Sequence, residues 1–529
     1  VAGQMIYRAY YGGDQYQINS RLTLNYGFRL DQMGPWSERF DRLSVLIPNA
    51  VSPLASVTGL PLMGKFGLVN SPDRPSRNNT DLHNLPAPRL GLAYRIMDKT
   101  VIRTGYGIFW LPSEVANTGP QSDPVNAYTT PFVGTTDGSL TPFNRLSNPF
   151  PSGIVQPPGH NANFQQLFEG QGFSASLPHD PSAYAQQWNF GIQHELPGSV
   201  AVEVDYAGSK GTHLPGPAQQ LDQLPDQFLS MGAALQQLVP NPFFGQVQVG
   251  ALANPTVARG QLLRPFPQYT GYSVLSPMDR NSIYHSAQVK VEKRFNKGGS
   301  ILGSYTWAKL ISDTDTLTAW LEPNGGASVQ DSNNIRLERS LVNYDVAHRL
   351  VISYALDLPF GKDQKFLSGL RGLPDKIVSG WGVNGISTFQ SGTPLPLTDA
   401  VNLTNSFGGG SRPNSTGHSA QLSGSSQSRL NEWFNTTDFT APPAFTFGNV
   451  ARTLPDVRGP GIDNFDFAVF KNTPLTERLG LQFRTEVFNI FNRVQFSPPG
   501  LSLGTPQFGV ISGQYNNPRL VQFALRLLF

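Results

Sequence analysis

The sequence lacks several features that define common protein classes. It has no cysteine among 529 residues, which excludes disulfides, thiolate metal sites and thiol nucleophiles. It has no uninterrupted apolar run of about 18 residues, so no transmembrane helix is expected. Charged residues make up 14%, against about 25% in typical globular proteins. The balance of 39 basic and 36 acidic residues gives a net charge of +3, without the basic stripe that a nucleic-acid partner requires.

What the sequence does contain is a regular alternation of apolar and polar residues. Between Tyr184 and Tyr206, large apolar side chains occupy even positions and polar ones occupy odd positions, on both sides of the turn 197–199. A period of two predicts β-strands, and two such runs joined by a tight turn predict a β-hairpin. Each arm has about 12–14 residues, whereas strands in soluble proteins average about 5–6. A strand that crosses a bilayer needs about 9–11, apolar outward and polar inward.

This length favours an all-β, antiparallel transmembrane β-barrel over a soluble sandwich. The same alternation recurs at 479–487 and 521–529. We therefore expect one set of side chains to face lipid and a second set to face the lumen. The lipid-facing candidates are Trp188, Phe190, Val202, Val204, Leu481, Phe483, Phe523 and Leu525. The lumen-facing candidates are Gln187, Asn189, Glu203, Asp205, Gln482, Arg484 and Glu486.

About 13 long strands are predicted, and the connections between them alternate in length. Short connections are expected at 18–20, 97–99, 197–199, 296–299, 359–376 and 473–477. The connection 359–376 is expected to lead into a strand at 377–390. Long ones are expected at about 34–87, 112–182, 211–281, 312–344, 392–461 and 492–516. Short periplasmic turns and long extracellular loops are typical of outer-membrane barrels. Loops of this kind are where ligands meet the protein.

Several segments carry a resemblance to a known family. They are AYAQQWNFGIQHEL, VDYAGSKGTHL, PAPRLGLAYR, NYDVAHRLVISYALDLPFGK, FQSGTPL and EVFNIFNRVQF. Together they resemble the barrel of Oar-like TonB-dependent transporters of the bacterial outer membrane. The resemblance implies a 22-stranded barrel preceded by a plug and by a carboxypeptidase-regulatory-like domain. Residues 1–529 would then be the C-terminal portion of the barrel, an open or partial sheet without plug or regulatory domain, edged by strands near 4–16 and 518–529.

The resemblance also implies partners and a function. The expected function is binding of an unidentified ligand at the extracellular loops and its passage across the membrane with TonB energy. The TonB complex would act through the missing N-terminal region, and the assembly machinery would recognise the last strand, which ends at Phe529. Membrane lipid is the remaining partner. A passive porin or a surface-adhesion barrel stays open as an alternative, and a soluble all-β binding protein is a weaker one.

The sequence predicts neither an enzyme nor a cofactor site. No nucleophile with a base and an orienting acid is recognisable. His348 and Arg349 lie where a long loop enters a strand, which favours a structural role at the rim. Asp313, Asp315 and Asp331 share one loop without EF-hand spacing, so we interpret them as solvated acids, with a Ca²⁺ site as the alternative.

Overall fold

The computed structural model describes residues 3–111, 168–296, 298–315, 329–362, 364–476 and 478–529, together with part of 125–165. Parts of the predicted connections at 112–182, 296–299, 312–344, 359–376 and 473–477 therefore lie outside the described residues. No helix among the described residues is long and apolar enough to cross a membrane.

One large antiparallel sheet dominates the fold, as predicted. Thirteen strands pair in sequence order, and the short strand Ser340–Leu341 adds to the eighth as a fourteenth member. The thirteen strands are β1 (Tyr7–Asn19), β2 (Leu22–Met33), β3 (His83–Met97), β4 (Thr100–Trp110), β5 (Tyr184–Leu196), β6 (Val200–Pro215), β7 (Met278–Arg294), β8 (Gly299–Ser312), β9 (His348–Asp357), β10 (Trp381–Gln390), β11 (Ile462–Pro474), β12 (Gly480–Phe488) and β13 (Leu520–Leu528). Among the described residues β1 and β13 do not pair, so the sheet is open and these strands are its edges.

The hairpin β5–β6 shows how the sequence sets the register. Its pairs run without a bulge from Leu196 opposite Val200 to Tyr184 opposite Thr212. The turn places Gly198 and Ser199 at positive φ (82° and 59°), which lets three residues reverse the chain. Because side chains alternate between faces, this register brings the apolar positions of both strands to one face.

The connections sort by length as predicted, with one correction. Five connections on the short side have only two to five residues between strands. The sixth, between β9 and β10, contains a helical turn, so the strand predicted at 377–390 begins only at Trp381. Gly380, at φ 81°, separates the helix from the strand. The α-helices among the described residues are α1 (Ala55–Thr58), α2 (Arg259–Leu262) and α3 (Leu373–Val378).

The long connections form a folded layer of their own. We call their described residues within 34–82, 111–183, 216–277, 313–347, 391–461 and 489–519 the loop layer. It holds the 3-10 helices Asp226–Gln236, Ala251–Ala253, Ile335–Glu338, Gln427–Arg429 and Thr436–Asp438. It also holds the short strands Ser37–Glu38, Ser44–Val51, Met63–Leu68, Gly172–Ala175, Gln219–Gln220, Leu238–Pro240, Thr256–Ala258, Gly271–Val274, Ser340–Leu341, Thr398–Asp399, Asn414–Ser415, Phe439–Thr440 and Ser502–Leu503, while Gly3–Gln4 pairs with Ser37–Glu38.

Buried apolar side chains concentrate in the loop layer. Four clusters of them are found among the described residues, and all four lie there. The largest brings together Phe66, Phe173 and Tyr272 from three different loops. In contrast, large apolar side chains of the sheet are exposed, including Phe190 at 47% and Phe523 at 69%. The protein thus has a buried core in its loops and an uncovered apolar surface on its sheet.

Candidate functional site

The sheet separates the two predicted sets of side chains onto opposite faces. Residues directly opposite each other in a ladder share a face. Val204 lies opposite Ile192 and Val289, and Phe190 lies opposite Tyr206. Following the pairing through β7 to β13 leads from these residues to Phe483 opposite Leu525. We call this the apolar face, and it carries Trp188, Phe190, Val202, Val204, Leu481, Phe483, Phe523 and Leu525.

Aromatic and histidine side chains form hydrogen-bonded groups on the apolar face, toward the loop layer. The Trp188 indole donates to the Tyr206 hydroxyl at 3.2 Å, and that oxygen lies 2.7 Å from His285 Nδ1. Tyr305 pairs with His348 in the same way, at 2.8 Å. His348 thus begins β9 with a tyrosine contact, which agrees with a structural role at the rim. Aromatic rings with a polar tip are typical of a boundary between apolar and wet surroundings.

The opposite face, which we call the polar face, carries two networks. In the first, Arg103 donates to Gln193 at 2.6 Å and lies 3.9 Å from Glu203. Lys290 is directly opposite Glu203, and Asp205 lies over Gly191, where a Cβ would collide with its carboxylate. Positive charges on neighbouring strands therefore lie close to Glu203, while Asp205 occupies the space that Gly191 leaves.

The second network lies near the last strands of the sheet. Arg484 forms an ion pair with Glu486 at 2.7 Å, and Gln522 donates to the other oxygen of Glu486 at 3.0 Å. Gln482 donates to Asn472 at 2.8 Å. The structure thus brings Arg484 and Glu486 together, whereas Gln482 bonds within its own hairpin.

Two cavities show that the polar face is concave. The larger, of about 950 Å³, is lined from seven adjacent strands, β1 to β7, and Gln187 and Asn189 contribute to it. Only a sheet that curves around a space can line it from so many strands. Six glycines contribute to its wall: Gly13, Gly27, Gly91, Gly105, Gly107 and Gly208. The second cavity, of about 400 Å³, is lined by Arg484, Glu486, Asn384 and Asp466.

Buried ion pairs hold the loop layer together. The carboxylate of Asp222 lies 2.7 Å from Arg264, and both side chains are essentially inaccessible. Three further pairs join the loop 313–347 to the loop 391–461. They are Asp315–Arg452, Glu338–Arg412 and Asp345–Arg458. Removing one partner of such a pair leaves an uncompensated buried charge, which is strongly destabilising.

The three loop acids considered as calcium ligands have protein partners instead. Asp315 pairs with Arg452, and Asp331, which is 2% exposed, accepts a hydrogen bond from Gln223 at 2.6 Å. Asp313 accepts one from the backbone N–H of Asn281. The interpretation of solvated acids is therefore wrong for Asp315 and Asp331. No group of three or more metal-binding side chains occurs in the part of the chain that the structure describes.

Burial perturbs two acids of the loop layer. It raises the pKa of Glu169 to about 7. It also raises the pKa of Asp222, because desolvation outweighs the attraction of Arg264. Sequence alone gave no sign of either, since both residues lie in loops without periodicity.

Comparison with known proteins identifies the family. The family model described as an outer membrane beta barrel domain matches residues 2–522. The chain belongs to this family. It is accordingly an outer-membrane protein of bacteria, with the barrel-type sheet described above. Among curated proteins no significant match is found.

Three solved structures similar to this outer-membrane barrel domain are a transporter and two receptors. They include the ferric citrate transporter FecA (11% identity, TM-score 0.40), the siderophore receptor PiuA from Acinetobacter baumannii (8%, 0.42) and the pyoverdine receptor FpvA from Pseudomonas aeruginosa (10%, 0.41). The matches cover 99%, 99% and 100% of this chain and 45%, 43% and 42% of those chains. The chain therefore spans less than half the length of these structures.

The last strand of this barrel domain is followed by a fully exposed phenylalanine. In β13, Val521, Phe523, Leu525 and Leu527 alternate on the apolar face, and Phe529 follows the strand with its whole side chain accessible. The alternation was visible in the sequence. The glycine-lined cavity and the interloop ion pairs were not, because they depend on partners that are remote in sequence.

Proposed function

We propose that the chain is the barrel part of an Oar-like TonB-dependent receptor that takes a ligand across the outer membrane. The observation that carries the proposal is the concave polar face, whose cavity of about 950 Å³ is large enough for a small ligand or a protein segment. The folded loop layer is formed by the long connections, which are extracellular in outer-membrane barrels. The resemblance of the hairpin segments to the Oar-like barrels supports the choice of transporter.

The face assignments follow from the same proposal. The apolar face would contact lipid through Trp188, Phe190, Val202, Val204, Leu481, Phe483, Phe523 and Leu525. The polar face would line the lumen through Gln187, Asn189, Glu203, Asp205, Gln482, Arg484 and Glu486. Exposed apolar patches of this extent mark a surface that something covers, and in an outer-membrane protein lipid covers it.

The edges of the sheet bear on the domain organisation. β1 and β13 each have a neighbour on one side only, among the described residues. Lipid cannot satisfy the free N–H and C=O groups of such edges. We therefore propose that further strands, a plug and a TonB-interacting region are supplied by protein outside residues 1–529. Phe529 would be part of the signal that the assembly machinery reads.

A depletion experiment tests the transport function without knowledge of the ligand. A mixture of candidate solutes is given to the parent strain, to a strain lacking this protein and to a strain lacking TonB. Loss of depletion of the same compound in both mutants would support active import. A compound that only the strain lacking this protein fails to deplete would indicate a passive channel. If all three strains deplete the mixture equally, the transport proposal fails and adhesion becomes the better candidate.

A further inference from the structure

The connection between β9 and β10 exposes an unusual amount of apolar surface. Residues 358–380 lie on the side of the short turns and include the helical turn α3. Leu373 is 71% exposed and Ile377 is 59% exposed. Three more large apolar side chains of the segment are exposed: Phe360, Phe366 and Leu367. Neither the strand pattern nor the proposed transport function accounts for them.

The segment is nevertheless ordered by its own hydrogen bonds. The Ser379 hydroxyl donates to the Asp375 carboxylate, and the backbone N–H of Lys362 donates to the Ser379 hydroxyl at 3.0 Å. The backbone N–H of Phe366 donates to the carbonyl of Pro359, and the backbone N–H of Gly361 donates to the carbonyl of Phe366. The apolar side chains are therefore held outward by a defined backbone.

Contacts at the end of α3 place the segment beside the apolar face of the sheet. The Trp381 indole donates to the carbonyl of Ile377 at 2.8 Å. Trp381 lies opposite Lys471, which lies opposite Phe483, so all three belong to the apolar face. The ammonium group of Lys471 lies 5.2 Å from the centre of the Trp381 ring and donates to the carbonyl of Ser379 at 2.6 Å. The exposed side chains of α3 are thus continuous with the apolar face.

The same segment carries exposed basic side chains, and Lys365 lies 5.3 Å from the centre of the Phe366 ring. Lys362, Lys365, Arg371 and Lys376 are all exposed, and within the described residues none of them forms an ion pair. Asp375, the acid of α3, is already engaged by Ser379. A short segment with exposed apolar and exposed basic side chains is typical of a structure that lies in a membrane interface.

We propose that residues 358–362 and 364–380 lie in the periplasmic leaflet of the outer membrane and bind its phospholipids. Leu373, Ile377 and Phe366 contact the acyl chains, while the basic side chains contact lipid phosphates. Lipid suits this surface better than a protein does, because the surface continues the apolar face and its segment carries exposed basic side chains. This inference rests on the proposed lipid contact of the apolar face.

Single cysteines provide the test, since the chain has none of its own. Spin labels are attached to Leu373→Cys and Ile377→Cys in purified protein reconstituted into phosphatidylethanolamine–phosphatidylglycerol vesicles. Electron paramagnetic resonance then compares collision of the label with oxygen, which concentrates in lipid, and with a water-soluble nickel complex. Asp98→Cys, in the tight turn between β3 and β4, is the aqueous control, and Val204→Cys is the lipid control.

The two controls separate the possible results. Oxygen-to-nickel collision ratios at 373 and 377 that are several-fold above that at 98 and close to that at 204 support the inference. Ratios at 373 and 377 equal to that at 98, with a lipid-like value at 204, overturn it and leave the apolar face assigned to lipid. A water-like value at 204 overturns both. Leu373 is so exposed that its replacement leaves the fold intact.

Discussion

Replacing Val204 by arginine tests the assignment of the two faces most directly. Val204 is half-exposed on the apolar face, between Ile192 and Val289. It lies four residues from the start of β6, about 13 Å along the strand at roughly 3.3 Å per residue. With the usual tilt this is about 10 Å of depth, close to the middle of a band about 25 Å tall. Arginine at that depth should cost about 2–4 kcal/mol of folding free energy.

A matched variant, Gln288→Arg, controls for the size and charge of the new side chain. Gln288 neighbours Val289 in the chain but points to the polar face, directly opposite Asp205. Arginine there meets an acid in wet surroundings, so we expect a change below about 1 kcal/mol. Urea titrations of both variants and the parent protein in phospholipid vesicles, followed by tryptophan fluorescence, give the free energies. Equal costs for the two variants, or a larger one for Gln288→Arg, would refute the assignment of lipid to the apolar face.

Three further predictions concern the loop layer and the C-terminus. Glu338→Ala should destabilise the loop layer by about 3–5 kcal/mol by leaving Arg412 buried and unpaired, and hydrogen exchange should rise in 391–461 but not in β5–β6. Burial raises the pKa of Glu169 to about 7 from 4.5. Between these pH values the folded protein binds more protons than the unfolded one, so the free energy of unfolding falls by up to about 3 kcal/mol as the pH rises. Glu169→Gln should flatten that dependence in a thermal-melting series from pH 4.5 to 7.5. Deleting Phe529 should reduce the amount of assembled protein in outer membranes. Unchanged assembly would show that Phe529 is not part of an assembly signal.

The strands of the sheet were predictable because their signal is local. In β5 and β6 the apolar residues recur at every second position, and a one-residue slip would move all of them to the other face. The short turn at 197–199 then allows only one register between β5 and β6. The same reasoning failed at 377–380, where Ile377 and Val378 continue the apolar pattern but belong to α3. Pro374 at the start of that helix and Gly380 after it were the available signals.

The loop layer could not be derived in this way. Its core joins Phe66, Phe173 and Tyr272, which are more than 200 residues apart at the extremes, and its ion pairs join residues such as Glu338 and Arg412. No periodicity connects such positions. Composition did not indicate that the loops fold either, because Pro, Gly, Asn and Ser are frequent both in loops that form a buried core and in loops that do not. The interpretation of Asp315 and Asp331 as solvated failed for this reason.

The distribution of buried groups differs between the loop layer and the sheet. In the loop layer, charged side chains such as Arg264 and Arg452 are buried with partners, and apolar ones are covered, as expected for a structure in water. In the sheet the order is reversed, because Phe523 and Leu525 remain exposed while Arg103 and Glu203 face the concave side. A single aqueous solvent would penalise the sheet, since an exposed apolar face of thirteen strands would drive aggregation. Lipid removes that penalty, but it cannot serve the loops, whose irregular backbone needs water or protein partners. With lipid on the apolar face, as proposed, the boundary between the two solvents would run near the Trp188–Tyr206–His285 group on the loop side and near Trp381 on the turn side.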